Sequence, residues 1–264
     1  MPDYTLIDLP PILNLIFYPR KDFSPCPENA FDLNVPVDKD VFVSTRFYVG
    51  GANQPWVIYF HGNGEVVSDY DDIAPVYNQL GLNLVVADYR GYGASGGTPS
   101  FTNVCHDAKS IFTAATREIS NRGFQQELWV MGRSLGSISA LELANQYPDA
   151  IKGMIIESGF ANVVRIMKHL DHFPKEVTLR QFDQECLDLV KNISIPVLVI
   201  HGKDDYIVPY EEALDLYENL GTTSKTLVTI PDAGHNDIMY VGLRQYFKAI
   251  QEFISNALGT HKGD

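Results

Sequence analysis

The segment Gly132-Arg133-Ser134-Leu135-Gly136 has the residue types and the spacing of a serine nucleophile. It follows the apolar run 128–131 and opens a stretch rich in small residues, which predicts a sharp turn between a strand and a helix. The two glycines leave room for that turn, and the helix N-terminus beneath Ser134 would stabilise negative charge. We therefore expect Ser134 to attack an acyl carbon. The alternative is an ordinary strand, turn and helix that contains a serine.

A second match to the same five-residue pattern lies at 93–97 and contains Ser95. Its surroundings are rich in glycine, and Thr98-Pro99 stands where a helix would have to begin. This context predicts a loop rather than a nucleophile turn, so we exclude Ser95 as the attacking group.

Acyl transfer by a serine needs two further groups, and candidates for both follow Ser134 in the chain. A histidine must take the hydroxyl proton, and an acid must hold the other ring nitrogen of that histidine. Asp204 and Asp205 follow one later apolar run, and His235 follows the next. Glu157 ends an earlier apolar run and is a rival acid, although we favour its interpretation as a polar residue that binds loop backbone.

The loop His61-Gly62-Asn63-Gly64-Glu65 follows another apolar run and predicts half of an oxyanion hole. Its two glycines allow backbone N–H groups to turn towards a ligand. Asn63 is the first choice for the upstream donor and Gly64 is the second. The backbone N–H of Leu135, directly after the nucleophile, would be the other donor.

Other polar residues near these loops have structural interpretations. His61 and His201 precede glycines at predicted strand ends, where an imidazole usually bridges loop backbones. Arg133 adjoins the predicted nucleophile and could bind an acidic group, but we favour contacts with neighbouring loops. His169 and His172 are three apart without a third ligand of suitable spacing, so no metal site is predicted.

These loops need a scaffold that brings them together. Beyond residue 40, short apolar runs alternate with helical patterns, and this order predicts an α/β fold with a mostly parallel sheet covered on both faces. Apolar stripes predict one helix from Val104 to Ile119 and another from Met239 to Phe253. In such a sheet the active site lies at the carboxyl ends of the strands. The predicted strands are 41–49, 56–60, 82–87, 128–131, 153–156, 196–200 and 226–230.

Composition limits the partners and the compartment. The 264 residues include 33 acidic and 20 basic ones, and the formal charge of −13 argues against nucleic acid as a partner. Three cysteines without paired spacing indicate neither a disulfide framework nor a zinc site, so a cytoplasmic protein is expected. The chemistry described above needs no organic cofactor and no metal. The oligomeric state does not follow from these residues.

The N-terminal region contains the most apolar segment outside the predicted core, at 11–20. It is shorter than the roughly 20 apolar residues that span a bilayer, and no basic region precedes it as in a signal peptide. It could lie on a membrane surface or against a partner. Packing on the chain's own sheet is favoured, because Asp8, Pro10 and Pro11 interrupt the apolar character.

These motifs together resemble the α/β-hydrolase superfamily from about residue 40 to 258, and in particular its small-cap serine-aminopeptidase-like and BEM46-like branch, which includes relatives of eukaryotic protein depalmitoylases. The resemblance implies that Asp205 rather than Asp204 is the acid of the triad. We expect one α/β-hydrolase domain over 1–264 with about eight strands, an N-terminal extension over 1–40 and a small lid over 158–194. The matching segments are Phe17-Tyr18-Pro19-Arg20, His61-Gly62-Asn63-Gly64, Asp88-Tyr89-Arg90-Gly91-Tyr92-Gly93, Gly132-Arg133-Ser134-Leu135-Gly136, and His201-Gly202-Lys203-Asp204-Asp205 with Val208-Pro209.

The expected function is that of a serine hydrolase, which cleaves carboxylic esters or thioesters of a small-molecule substrate through an acyl-enzyme on Ser134. A peptidase or amidase with the same triad is the enzymatic alternative, and a ligand-binding protein of this fold with incidental turnover is the alternative from another class. Phe160, Val163, Met167 and Phe173 of the lid either line an acyl pocket or pack on the body beneath it.

Overall fold

The computed structural model describes residues 1–125 and 127–259, and one eight-stranded sheet organises this part of the chain. The spatial order of the strands is β1-β2-β4-β3-β5-β6-β7-β8. The first two strands pair antiparallel, and β2 also runs antiparallel to β4, while all other neighbours are parallel. The strands are β1 (Ala30–Asp38), β2 (Val41–Tyr48), β3 (Trp56–Phe60), β4 (Asn83–Ala87), β5 (Leu128–Arg133), β6 (Ile151–Glu157), β7 (Val197–Gly202) and β8 (Lys225–Ile230).

Helices cover both faces of the sheet, which explains why the central strands are continuous apolar runs. Every residue of β3, β4 and β5 is buried. One core, on the face covered by the third and fourth helices, contains Phe101, Ile111 and Leu141; the core on the opposite face contains Tyr77 and Tyr246. The helices are α1 (Pro10–Ile16), α2 (Ala74–Gln79), α3 (Phe101–Asn121), α4 (Ser137–Gln146), α5 (Val163–His169), α6 (Arg180–Lys191), α7 (Tyr210–Asn219), α8 (Ile238–Val241) and α9 (Leu243–Ala257).

The predicted α/β fold and its mostly parallel sheet are confirmed, and the predicted strands differ from the observed ones only at their ends. The exception is β1, the edge strand at Ala30–Asp38, which is absent from the predicted strands. Apolar residues alternate along it with polar ones, but Pro36 interrupts the pattern, and the pairing with β2 is irregular between Pro36 and Asp38. Proline is tolerated there because an edge strand has an unpaired side.

The N-terminal segment packs partly on the body. Ile7 and Phe17 are buried, and the Asp8 carboxylate accepts hydrogen bonds from the first backbone amides of α3. By contrast α1 contains no fully buried residue, and Leu15 is exposed. No helix in the described part of the chain is long and apolar enough to cross a membrane.

Candidate active site

Ser134 lies at the sharp turn between β5 and α4. A short 3₁₀ helix, Ser134–Gly136, joins the two elements. The backbone φ of Ser134 is +50°, in the left-handed region that residues other than glycine rarely adopt. A Cβ atom at position 132 would collide with the Gly136 carbonyl, and one at 136 would collide with the Phe60 carbonyl. Glycine is therefore required at both positions, and the strained serine projects from the carboxyl end of β5.

Ser134, His235 and Asp205 form one hydrogen-bonded chain, although 101 residues separate the serine from the histidine. The Oγ of Ser134 lies 3.0 Å from Nε2 of His235, and Nδ1 of His235 lies 2.8 Å from Oδ2 of Asp205. When Nδ1 of the neutral ring donates to Asp205, Nε2 is free to accept the hydroxyl proton. This is the geometry that activates a serine hydroxyl.

The Asp205 carboxylate is held in its charged form by several donors. Its Oδ1 accepts from the backbone amides of Ile207 and Val208 at 2.9 and 2.8 Å, and Nε2 of His201 lies 3.3 Å from Oδ2. Burial opposes the charge, but hydrogen bonds from His201, His235 and the Val208 amide outweigh it and keep the pKa of Asp205 well below its ordinary value. The neighbouring Asp204 is exposed.

Glu157, the rival acid, is engaged elsewhere. It is fully buried, and its carboxylate accepts hydrogen bonds from the hydroxyls of Tyr59 and Tyr246 at 3.1 and 2.7 Å, and from Nε of Arg133 at 3.1 Å. The structure thus pairs His235 with Asp205, whereas the hydrogen bonds of Glu157 come from Tyr59, Tyr246 and Arg133.

The loop after β3 lies beside Ser134, and the side chain of Asn63 fixes it. The Asn63 Oδ1 accepts from the Tyr92 hydroxyl at 2.6 Å and from the Tyr18 amide at 3.2 Å, while its Nδ2 donates to the Ile16 carbonyl. The Gly64 amide lies near the Tyr92 hydroxyl, where it opposes the rise in the pKa of Tyr92 that burial causes. Asn63 as the upstream oxyanion donor, with Gly64 as the second choice, stays a prediction.

Leu135 supplies the other predicted donor position. It is the second residue of the 3₁₀ helix that starts at Ser134. The first N–H groups of a helix have no partner inside it, which is consistent with the prediction of Leu135 as the second donor.

Arg133 is buried and contacts neighbouring loops, as the sequence favours. Besides Glu157 it pairs with Glu65 of the loop after β3, and its Nη2 donates to the His235 carbonyl at 2.8 Å. Burial lowers the pKa of Arg133, but the adjacent Glu65 and Glu157 raise it above its ordinary value. The guanidinium is therefore charged, and each of its three nitrogens donates at least one hydrogen bond.

A pocket of about 320 Å³ opens directly at Ser134 and His235. Most of its wall is apolar, and three of the four lid residues singled out from the sequence belong to it, namely Phe160, Val163 and Met167; Phe173 is buried but is not part of this wall. No pocket role is predicted from the sequence for the remaining lining residues, although Tyr18 and Val208 lie in matching segments. These are Ile16, Tyr18, Ile166, Leu170, His172, Ile207, Val208 and Asn236.

Other candidate groups do not join this site. The hydroxyl of Ser95 accepts a hydrogen bond from the Ser44 amide, and Ser95 is buried. All three cysteines are free thiols. Within residues 1–125 and 127–259, no three His, Cys, Asp or Glu side chains are grouped so that they could hold a metal ion. A larger cavity of about 570 Å³ lies between β1 and α3, away from Ser134.

Comparison with known proteins agrees with this architecture. The chain is 28% identical to human "Alpha/beta hydrolase domain-containing protein 17B" over 207 residues, which are 76% of this chain and 67% of that protein. Among solved structures it is similar to the Pyrococcus furiosus esterase Pf2001, with 19% identity, a TM-score of 0.73, and coverage of 91% of this chain and 99% of that one. It is also similar to a Paleococcus ferrophilus monoacylglycerol lipase, with 20% identity, a TM-score of 0.63, and coverage of 83% and 100%.

The family model described as "Serine aminopeptidase, S33" matches residues 51–176 and 176–239, well over half of the chain. This match spans Ser134, Asp205 and His235, and it confirms the resemblance inferred from the motifs. The structural neighbours confirm the α/β-hydrolase fold. The chain therefore belongs to the serine aminopeptidase S33 family and is a hydrolase with the α/β-hydrolase fold.

Proposed function

We propose that the protein hydrolyses carboxylic esters or thioesters through an acyl-enzyme formed on Ser134. The observation that carries this proposal is the continuous hydrogen-bonded chain from Ser134 through His235 to Asp205. A serine hydroxyl is a weak nucleophile by itself, and this chain supplies the base and the group that orients the base.

The first half of the reaction transfers the acyl group to the enzyme. The Oγ of Ser134 attacks the substrate carbonyl carbon while its proton moves to Nε2 of His235. The negative charge of Asp205 stabilises the imidazolium that results. As the tetrahedral intermediate collapses, the bond to the leaving group breaks, and His235 returns the proton to the departing alcohol or thiol.

The second half releases the acyl group. Water gives a proton to His235 and its oxygen attacks the acyl carbon on Ser134; the collapse of the second intermediate yields the carboxylic acid and returns the proton to the serine. In both intermediates the backbone amides of Asn63 and Leu135 would donate to the oxyanion. Such donors stabilise charge that develops only in the transition state, so they accelerate the reaction rather than merely binding substrate.

The apolar pocket wall favours a substrate with an apolar acyl group over the amino-terminal residue of a peptide. Phe160, Val163, Ile166, Met167 and Leu170 form an apolar surface beside Ser134. An aminopeptidase has to bind the charged α-amino group of its substrate, and a buried ammonium needs a carboxylate partner. The described pocket lining contains no Asp or Glu. The similar structures include an esterase and a monoacylglycerol lipase, which agrees with this preference.

The test is hydrolysis of p-nitrophenyl acetate, butyrate and octanoate by the wild type and by Ser134→Ala, with fluorophosphonate labelling of both. Ser95→Ala is the matched control, because Ser95 lies in the other copy of the motif. Loss of turnover and labelling in Ser134→Ala, with Ser95→Ala retaining both, is the expected result. Labelling without ester turnover would instead favour an amide or peptide substrate, and the absence of both in the wild type would favour the ligand-binding alternative.

A further inference from the structure

Arg133 connects two segments whose separation determines the distance from the nucleophile to its base. Its backbone ends β5 directly before Ser134, and its Nη2 donates to the backbone carbonyl of His235 at 2.8 Å and to Oδ1 of Asn236 at 3.1 Å. The guanidinium therefore contacts the histidine loop from the strand that carries the serine.

The other side of the guanidinium is fixed by two carboxylates. Nε donates to Glu157 at 3.1 Å, and Nη1 pairs with Glu65. Glu157 is itself held by Tyr59 and Tyr246. Arg133 is only 6% exposed, so these contacts are poorly screened by water and the side chain has little freedom to move.

We infer that Arg133 is a positioning residue, which fixes the main chain of His235 so that its imidazole stays within hydrogen-bond reach of Ser134. The inference rests on the proposed function, because it concerns the same serine and histidine. The Asp205 carboxylate orients the ring of His235, whereas Arg133 holds the backbone from which that ring projects. The two restraints act on different parts of the residue and are both needed for a fixed Ser134–His235 distance.

The arginine fork suits this task better than lysine does. Its planar group donates in several fixed directions at once, so one side chain can satisfy Glu65, Glu157 and the His235 carbonyl together. A lysine ammonium is a single point of charge and cannot reproduce all of these directions.

A matched control lies on β2. Arg46 is 2% exposed and also pairs with two carboxylates, Asp32 at 2.7 Å and Asp71 at 3.0 Å. Within the described part of the chain, the hydrogen bonds of Arg46 go to Asp32, Asp71 and the Ser24 carbonyl, and none goes to the proposed triad. Removing either guanidinium leaves two carboxylates without their buried partner, so both changes should lower stability. Only the change at Arg133 should alter the reacting groups.

The experiment compares Arg133→Gln, Arg133→Lys and Arg46→Gln with the wild type, using p-nitrophenyl butyrate and counting intact sites by fluorophosphonate labelling. For Arg133→Gln we expect kcat per labelled site to fall about 10- to 100-fold with KM nearly unchanged, since small displacements of a reacting group have effects of this size. Arg133→Lys should lie between Arg133→Gln and the wild type. Arg46→Gln should lower the thermal midpoint but keep kcat per labelled site.

The inference is overturned if Arg133→Gln behaves as Arg46→Gln does, with lower stability and a normal kcat per site. If Arg133→Gln fails to fold, Arg133→Lys decides, because it keeps the buried charge; a wild-type kcat in that variant overturns the inference as well. Failure of the proposed function is recognised separately, since the wild type would then hydrolyse no ester or Ser134→Ala would remain active.

Discussion

The hydroxyl of Tyr92 donates a 2.6 Å hydrogen bond to the side-chain oxygen of Asn63, whose backbone amide is the proposed upstream oxyanion donor. Tyr92 is buried and follows β4, so a rigid part of the body holds the loop after β3. Tyr92→Phe removes this bond and keeps the ring. We expect kcat for butyrate ester hydrolysis to fall about two- to tenfold, the range of one ordinary hydrogen bond.

Tyr210→Phe is the control for that change. Its hydroxyl makes a bond of the same length, 2.6 Å, with the Thr229 hydroxyl, outside the pocket wall. Loss of this bond should leave kcat unchanged. Equal kcat values for the wild type and Tyr92→Phe would show that the loop keeps its position without Tyr92.

The contrast between Ser134 and Arg133 shows what the sequence reveals of this site. Ser134 is predictable because its turn needs glycines at fixed neighbouring positions, and this requirement is local. The partners of Arg133 come from three separate parts of the chain, and Glu65 is 68 residues away from it. Only the folded sheet brings these groups together, so the sequence indicates contacts with neighbouring loops but not which ones.

Strand β1 and the pocket at Ser134 show the same contrast between a local sequence signal and a long-range contact. The alternation in β1 is a local signal, which Pro36 obscures. Tyr18 and Ile16 line the pocket because the N-terminal segment crosses the loop after β3, and no periodicity in the sequence encodes that crossing. The order of Ser134, Asp205 and His235 along the chain, by contrast, follows directly from which loop ends which strand.

Asp205→Asn should strongly reduce turnover although it leaves the nucleophile and the base in place. The amide cannot stabilise the imidazolium and can favour the wrong tautomer of His235, so we expect kcat to fall about 10⁴-fold, as in other serine hydrolases. Steady-state ester hydrolysis measures the effect. The exposed neighbour Asp204 provides the control, and a loss of activity in Asp204→Asn with full activity in Asp205→Asn would reverse the assignment of the acid.

Asp205 should also contribute to stability in a way that depends on pH. The pKa of this carboxyl is lower in the folded protein than its ordinary value of 3.8, so the unfolded chain binds the proton more readily. Its contribution is complete above that ordinary value and is lost as the pH falls through the lower folded pKa. The difference in thermal midpoint between the wild type and Asp205→Asn should therefore shrink as the pH falls below about 4. A difference that grows as the pH is lowered from about 4 would contradict this.

Leu170 borders the pocket and is half-buried, so a larger side chain there should shorten the acyl chains that fit. We expect Leu170→Trp to lower the ratio of kcat/KM for octanoate to that for acetate about tenfold, the scale of steric discrimination in an apolar pocket. Leu187→Trp is the control, because Leu187 of α6 is also half-buried but lies outside this pocket. Equal octanoate-to-acetate ratios in both variants would show that this part of the pocket wall does not select the length of the acyl chain.

Gly136→Ala should destabilise the protein strongly. The added Cβ would collide with the backbone carbonyl of Phe60, which cannot move without disturbing β3. We expect a cost of about 3 kcal/mol or more and a thermal midpoint about 6–12 °C lower. At Gly96 an added Cβ meets only the Phe42 backbone at 3.8 Å or beyond and a Val41 methyl group at 4.0 Å, so Gly96→Ala should be tolerated. Equal midpoints for the two variants would contradict the close packing of the nucleophile turn.

The most direct test of the account is to trap the acyl-enzyme and locate it. The wild type is mixed with p-nitrophenyl octanoate, quenched in acid during turnover, digested and mapped by mass spectrometry. We expect one octanoyl group on the peptide that contains Ser134, and none on Ser134→Ala. Turnover with the acyl group on Ser95 or another residue, or continued hydrolysis by Ser134→Ala, would contradict Ser134 as the nucleophile.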